Sequence, residues 1–311
     1  MSVTAGADPL ASGAVPSGAG GRRRAGAVRE VVRRPAGAFG IVVTLLVVIA
    51  VLFAPVVSPH DPNAQDILHR FAGPSGGHWL GTDELGRDLL SRMIYGCRAA
   101  FEVALPAVGI ALVLGMLTGL LAGWFGGLID SALIIVTDAL LAFPAIILAL
   151  AVIALYGPSL RNTVILVGVA FLPNYFRVTR ALVLSARNDV YVDAERALGA
   201  GTARILGIHV VPNVLPPLFI LVAMDIPGAV AVAAGLSFLG LGVQPPTADW
   251  GVMLNDGFVN VYDSAWPLIV PCAALVLVTI GFTFLGETLR DVFDPRVSRT
   301  QLISSRGRRR R

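Results

Sequence analysis

The sequence predicts an all-α integral membrane protein, a bundle of six transmembrane helices. Three observations carry this prediction. Of 311 residues, 55% are hydrophobic and 14% charged, with a mean hydropathy of +0.76, which is not the balance of a soluble surface. The apolar residues gather in runs long enough for a hydrocarbon layer, which takes about 20 helical residues. Basic charge is divided unevenly between the segments that join those runs, as membrane orientation requires.

Four runs without Asp, Glu, Lys, Arg or His stand out: residues 36–59, 103–129, 139–160 and 264–286. A fifth span, 226–248, reaches full length by extending back through Asp225 into 210–224. The fourth in chain order, 162–176, is short and relies on Arg177 and Arg180 snorkelling at its end. Pro106, Gly115, Gly119, Pro144, Pro173 and Gly235 fall inside these spans, where they permit kinks or close helix contact.

All 24 basic residues other than histidine are arginine, so the arginine count is a complete account of fixed positive charge. With the N-terminus in the cytoplasm, 19 arginines lie inside and five outside (Arg70, Arg87, Arg92, Arg98 and Arg161), which predicts both termini inside a bacterial plasma membrane. The domain reading follows. Residues 1–35 are a disordered basic tail drawn to anionic lipid, and 36–58 are the first transmembrane helix, a retained anchor rather than a cleaved signal. Residues 59–100 form an extracytoplasmic loop with an amphipathic helix. Residues 101–289 form a five-helix core that includes a cytoplasmic loop at 186–213, and 290–311 form a second basic tail.

Missing lysine excludes Schiff-base chemistry, a lysine base and a phosphate-loop lysine. Cys97 and Cys272 lack the close Cys or His neighbours of a zinc site; they read as inert thiols, with a bridge between them the open alternative. His60, His69 and His78 repeat every nine residues, which is no ligand pattern, so they read as solvated and no metal or cofactor is expected. No His-Glu-x-x-His, no paired carboxylates within a span and no Gly-x-Ser-x-Gly point to an enzyme.

The informative segment is 186–213. Asn188 or Asp189 can cap a helix whose apolar positions Val190, Ala194, Ala197 and Leu198 share a face. Gly199 and Gly201 end it, and Thr202 starts a second helix carrying Ile205, Leu206 and Ile208 as far as Pro212. Such a hairpin either merely connects two spans or serves as a docking element. In the outer loop, Leu85, Leu89, Leu90, Met93 and Ile94 make an apolar stripe with Arg87, Asp88, Ser91 and Arg92 off it, an amphipathic helix for the interface. Trp250 and Trp266 read as interfacial anchors. Asp138 lies about two turns into its span and reads as a headgroup or backbone cap. Asp225 lies deeper, where it can line a pathway or pair with a partner.

The hairpin resembles the cytoplasmic signature of ABC importer permeases. Asp193-Ala194-Glu195, Gly199 and the ending His209-Val210-Val211-Pro212 keep that pattern's spacing throughout. Asp193, Glu195, His209 and Val211 depart from its commonest residues, and Glu195 places a charge where a small residue would meet a partner. The run Gly81, Thr82, Asp83, Glu84, Leu85, Gly86, Arg87, Asp88 is similar to the segment before the second span in C-type permeases of dipeptide, oligopeptide and nickel importers. The stretch from Ala234 to Pro246 with Asp249-Trp250-Gly251, and Leu289-Arg290-Asp291 with Asp294-Pro295-Arg296, resemble further motifs of that family in the same order.

The resemblance implies the type I ABC importer permease (MetI-like) fold. It also implies a non-catalytic subunit forming the translocation pathway, with peptides as cargo or, alternatively, nickel or another small solute. The implied partners are ABC ATPase subunits as two copies or a heterodimer, a homologous B-type permease, an extracytoplasmic solute-binding protein and membrane lipid, with no nucleic acid. ATPase coupling would fall on Asp189, Tyr191, Asp193, Ala194, Glu195, Leu198, Gly199, His209 and Pro212. A secondary transporter working without ATP is the competing class, and the signature hairpin and the lack of an internal repeat speak against it.

Overall fold

The computed structural model describes residues 31–293, and the basic tail segments before and after them, with Arg296 of the closing motif, lie outside the described residues. Helix follows helix, with no strand among the described residues. We number them α1 (Pro35–Val57), α2 (Leu89–Phe125), α3 (Gly127–Ala142), α4 (Ala145–Tyr156), α5 (Leu160–Arg187), α6 (Val190–Ala197), α7 (Thr202–Ile205), α8 (Val211–Phe238), α9 (Trp250–Val259) and α10 (Trp266–Phe293). Five segments are single helices long and apolar enough to cross a membrane: α1, α2, α5, α7 running on into α8, and α10. The pair α3 and α4 is bent by 90° and makes a sixth only if taken as one broken span.

That break corrects the expected run at 139–160. Pro144 has no N–H to donate and forces the preceding Phe143 into an extended conformation (ψ 127°), so the helix stops and restarts. The fourth span is longer than its apolar run, because its arginines are paired rather than snorkelling. Arg180 makes a bidentate contact with Asp130 of α3 (2.5 and 2.7 Å), and Arg177 meets Asp138 at 2.8 Å, so Asp138 is an ion-pair partner and not a cap. The fifth span ends ten residues before its expected limit. Gly240, at φ +74°, closes the α8 terminus by letting Leu241 N–H reach Leu236 O and its own N–H reach Ser237 O.

The core is built on α2 and α5, which run parallel over their length. Gly115, Gly119 and Gly123 recur every four residues on α2 and face Tyr175, Phe176, Thr179 and Val183 of α5. A Cβ on Gly119 would sit 2.7 Å from Phe176 O, so only glycine admits this backbone approach. Against this pair pack α8 and, antiparallel to each other, α1 and α10, which meet where Gly40 abuts Gly281 and Leu285. Leu45, Leu52, Leu117, Leu128, Val276 and many other large apolar side chains remain exposed around the bundle, as a lipid-facing surface requires.

Two ends result. One carries the α5–α8 hairpin with the start of α1 and the end of α10, tied by Arg34 to Asp291 at 2.9 Å. The other carries the 58–88 loop, the 239–249 loop and α9. Overpacking the glycine seam predicts a large cost: Gly119→Leu should lower stability by about 1–3 kcal/mol, while Gly235→Ala, where a Cβ meets nothing within 4 Å, should leave it unchanged or raised. Thermal melting of the purified variants reads the difference.

Candidate functional site

At the hairpin end, α6 is closed by a glycine turn whose geometry follows from its sequence. Gly199 adopts φ +81°, its N–H donates to Arg196 O, and Ala200 N–H donates to Glu195 O, the paired bonds of a Schellman C-cap. At the other terminus Asp189 occupies the N-cap without a side-chain hydrogen bond. The second helix does not stop at Pro212. It passes from α7 through a wide π turn at Leu206–Val210 into α8, Val211 N–H donating to Leu206 O, and this widened turn lies just before Pro212, which has no N–H to place.

The apolar face expected on α6 exists and is turned outward. Val190 and Leu198 are 85% and 84% exposed, and Ala194, Ala197 and Gly199 lie exposed with them. The hairpin is anchored from the other side, by fully buried Val192, Ile205 and Val210. Arg196 lies 5.1 Å from the centre of the Trp124 ring at the end of α2, and Arg187 donates to Trp124 O at 2.9 Å. Two of the four departures from the signature answer each other: His209 Nε2 lies 3.2 Å from Glu195 Oε1, with the Tyr191 ring 6.1 Å from the imidazole. Glu195, His209, Tyr191, Ala194, Leu198 and Asn213 line one open cleft of about 360 Å³. Asp193 is exposed and faces Arg196 at 3.6 Å.

At the loop end the expected amphipathic helix is replaced by a different arrangement. Residues 81–88 form a loop turning at Glu84 and Leu85 and closed by an antiparallel bridge between Thr82 and Asp88, and α2 starts only at Leu89. The polar residues expected off the apolar stripe, Arg87, Asp88, Ser91 and Arg92, are buried together with Thr82 and Asp83, each at most 6% exposed. Asp83 organises them. Its Oδ1 accepts from the N–H groups of Leu85 and Arg87, and its Oδ2 accepts from Arg87 Nε at 2.6 Å and lies 3.3 Å from Arg92 Nε. Arg87 also reaches Glu84 and, at 3.5 Å, Asp256 of α9. Three acids thus face two arginines, and burial pushes the Glu84 and Asp256 carboxyls above their ordinary pKa. Gly81 and Gly86 permit the turn, both with positive φ.

Both tryptophans read as interfacial anchors instead pin this end to the protein. Trp250 is buried and its indole N–H donates to Met93 O at 3.0 Å, while that of Trp266 donates to Leu80 O. Asp249 caps α9 by accepting from Gly251 and Val252 N–H, and its burial raises its pKa. Two of the three outer histidines, separated by eighteen residues, come together: the His60 and His78 rings lie 5.0 Å apart beside buried Asp88, whereas His69 pairs with Asp66 at 2.7 Å. Nine-residue spacing hid this, because loop folding and not periodicity sets which side chains meet. The two cysteines stay free, Cys97 buried and Cys272 exposed.

Between the ends, Asp225 lies part-way along α8 beside Tyr175 of α5. Neither its Oδ2 nor the Tyr175 hydroxyl has an aligned hydrogen bond among the described residues.

Comparison with known proteins places the chain. The family model for the binding-protein-dependent transport system inner membrane component matches residues 115–299, and that for the N-terminal transmembrane domain of oligopeptide transport permease C matches 25–74. The chain belongs to the family of binding-protein-dependent transport system inner membrane components, a multi-span permease. Among its relatives, the di/tripeptide transport system permease protein DppC of Pseudomonas aeruginosa is 41% identical over 264 residues, covering 83% of this chain and 87% of that protein. The probable D,D-dipeptide transport system permease protein DdpC of Escherichia coli is 38% identical over 260 residues, covering 84% and 87%. A chain of the MetNI methionine ABC transporter, in inward-facing form, shares the fold with a TM-score of 0.52 at 17% identity, over 66% of this chain and 98% of that one.

The ionic cluster yields a sharp contrast. Asp83→Asn leaves buried Arg87 and Arg92 without their shared anion and should cost about 3–5 kcal/mol. Arg98→Gln removes an exposed pair with Glu102 and should cost less than about 1 kcal/mol. Melting temperatures of the two purified variants test this.

Proposed function

We propose that this chain forms half of the translocation pathway of an ATP-driven importer of di- or oligopeptides, and that separate ABC ATPase subunits dock on its α6 hairpin. The observation that carries this reading is the outward apolar face of α6, Val190 to Leu198, held rigidly from behind by Val192 and the Arg196–Trp124 contact. A large apolar side chain 84% exposed on a short, well-anchored helix is suited to a groove in a partner. The sequence has no lysine and hence no phosphate-loop motif of its own, which fits hydrolysis on other subunits. The division of arginine along the sequence, nineteen in the segments read as cytoplasmic against five in those read as external, supports a cytoplasmic hairpin with both chain ends inside. The peptide assignment rests on the names of the relatives.

In this mechanism closure of an ATPase dimer on ATP moves α6, and because the Schellman turn and the Trp124 contact leave the hairpin little freedom, the motion passes to α2 and α8. Asp189, Tyr191, Asp193, Ala194, Glu195, Leu198, Gly199, His209 and Pro212 form or shape the docking element, with the Glu195–His209 pair taking the charge that would otherwise face the groove alone. Asp225, whose Oδ2 has no aligned hydrogen bond among the described residues, faces the pathway or a homologous B-type permease. The segment from Gly81 to Asp88 holds the mouth beneath an extracytoplasmic binding protein, and lipid covers the apolar flanks.

Leu198→Asp or Gly199→Val should cut labelled-dipeptide uptake in cells by about tenfold or more, as loss of an interface anchor does, while the chain still inserts in the membrane at normal level. Normal uptake and normal substrate-stimulated ATPase in both variants would overturn the docking role.

A further inference from the structure

We propose that His60, His78 and Asp88 form a binding site for a divalent transition-metal ion of the zinc class at the loop end of the bundle. One ligand atom from each residue lies within 4.8 Å of the other two. His78 Nδ1 stands 2.9 Å from Asp88 Oδ1, and His60 Nδ1 stands 3.8 Å from Asp88 Oδ2. Two imidazoles and one carboxylate are the donor set that zinc and its neighbours favour. Tetrahedral coordination at about 2.0–2.1 Å needs donors about 3.3 Å apart, and small side-chain rotations of the two partly exposed rings close the remaining gap.

The surroundings are those of a built site. Asp88 is 98% buried, and its Oδ2 is fixed by Ser91, through backbone N–H at 2.8 Å and hydroxyl at 2.6 Å, so that Oδ1 faces His78 and Oδ2 is the oxygen nearer His60. The same Ser91 Oγ accepts the His60 backbone N–H at 3.1 Å, so one residue orients two of the three ligands. His78 is held by a reciprocal turn, its N–H donating to Ser75 Oγ and its carbonyl accepting from Ser75 and Gly81 N–H. The two imidazole rings, with centres 5.0 Å apart beside one carboxylate, bring three metal-ligating groups to one place that a single dication can satisfy. The His60 side is open, leaving a fourth position for water or an external donor.

The ligands come from the chain leaving α1, from mid-loop and from the N-cap of α2, so a bound ion would clamp the outer end of the first span to that of the second. The test is titration of the full-length chain, purified without a histidine tag, with zinc chloride against a chromophoric chelator. One zinc per chain is expected. His60→Ala and His78→Ala should each weaken it at least about tenfold, and His69→Ala should not change it. X-ray absorption at the zinc edge should show two imidazoles. Affinity unaltered by both His60→Ala and His78→Ala, equal loss in His69→Ala, or absence of saturable binding overturns the site. Both histidines are partly exposed, so their removal leaves the fold intact, which Asp88→Asn, at a helix cap, need not.

Discussion

The seam between α2 and α5 sets the frame for everything else. Three glycines spaced four residues apart bring two long parallel helices to backbone contact, and the remaining spans take their places against that pair. Inside a bilayer the hydrophobic effect gives helices no reason to prefer each other over lipid, so close packing of this kind must supply the cohesion. Because the helices are parallel, their N-terminal ends share one side of the bundle and their C-terminal ends the other. Loop chemistry and hairpin chemistry are therefore segregated by this one contact.

Charge is handled differently at the two ends. In the loop region Asp83, Arg87 and Arg92 are withdrawn from solvent into a dense ionic knot, where removing any member leaves a charge stranded. On the hairpin the pairs Glu195–His209 and Asp193–Arg196 are part-exposed and contribute little to stability. The first arrangement locks a conformation and the second tolerates displacement. That division suits the docking role proposed for the hairpin.

The number of apolar segments and the hairpin with its turn at Gly199 were legible in the sequence, because both depend on local patterns of hydrophobicity and backbone freedom. The break at Pro144 was visible as a residue but not as a 90° bend, since proline within a span can kink or stop a helix depending on its neighbours. The polar face of 87–92 was misjudged for a definite reason. Periodicity reports which residues share a side and says nothing about what covers it, and here Pro62, Asp256 and Asp83 cover the charged one. Long-range pairings such as Glu195 with His209 and His60 with His78 left no trace in spacing, because each is made by chain reversal. Matching departures from a motif, as at Glu195 and His209, are the signal that was available for the first of them.

Helix α2 runs without interruption from the Asp88 cap to Trp124 and Phe125, 37 residues in all. A rod of that size is about 55 Å long, so tilting it by about 10° around its middle swings each tip through about 5 Å, roughly the width of a peptide backbone. The helix has mechanical advantage without any hinge of its own. In the mechanism proposed for the hairpin, a push received at Trp124 would give a comparable stroke at the histidine-bearing loop, and Pro106, near the middle, is where a bend would dissipate it.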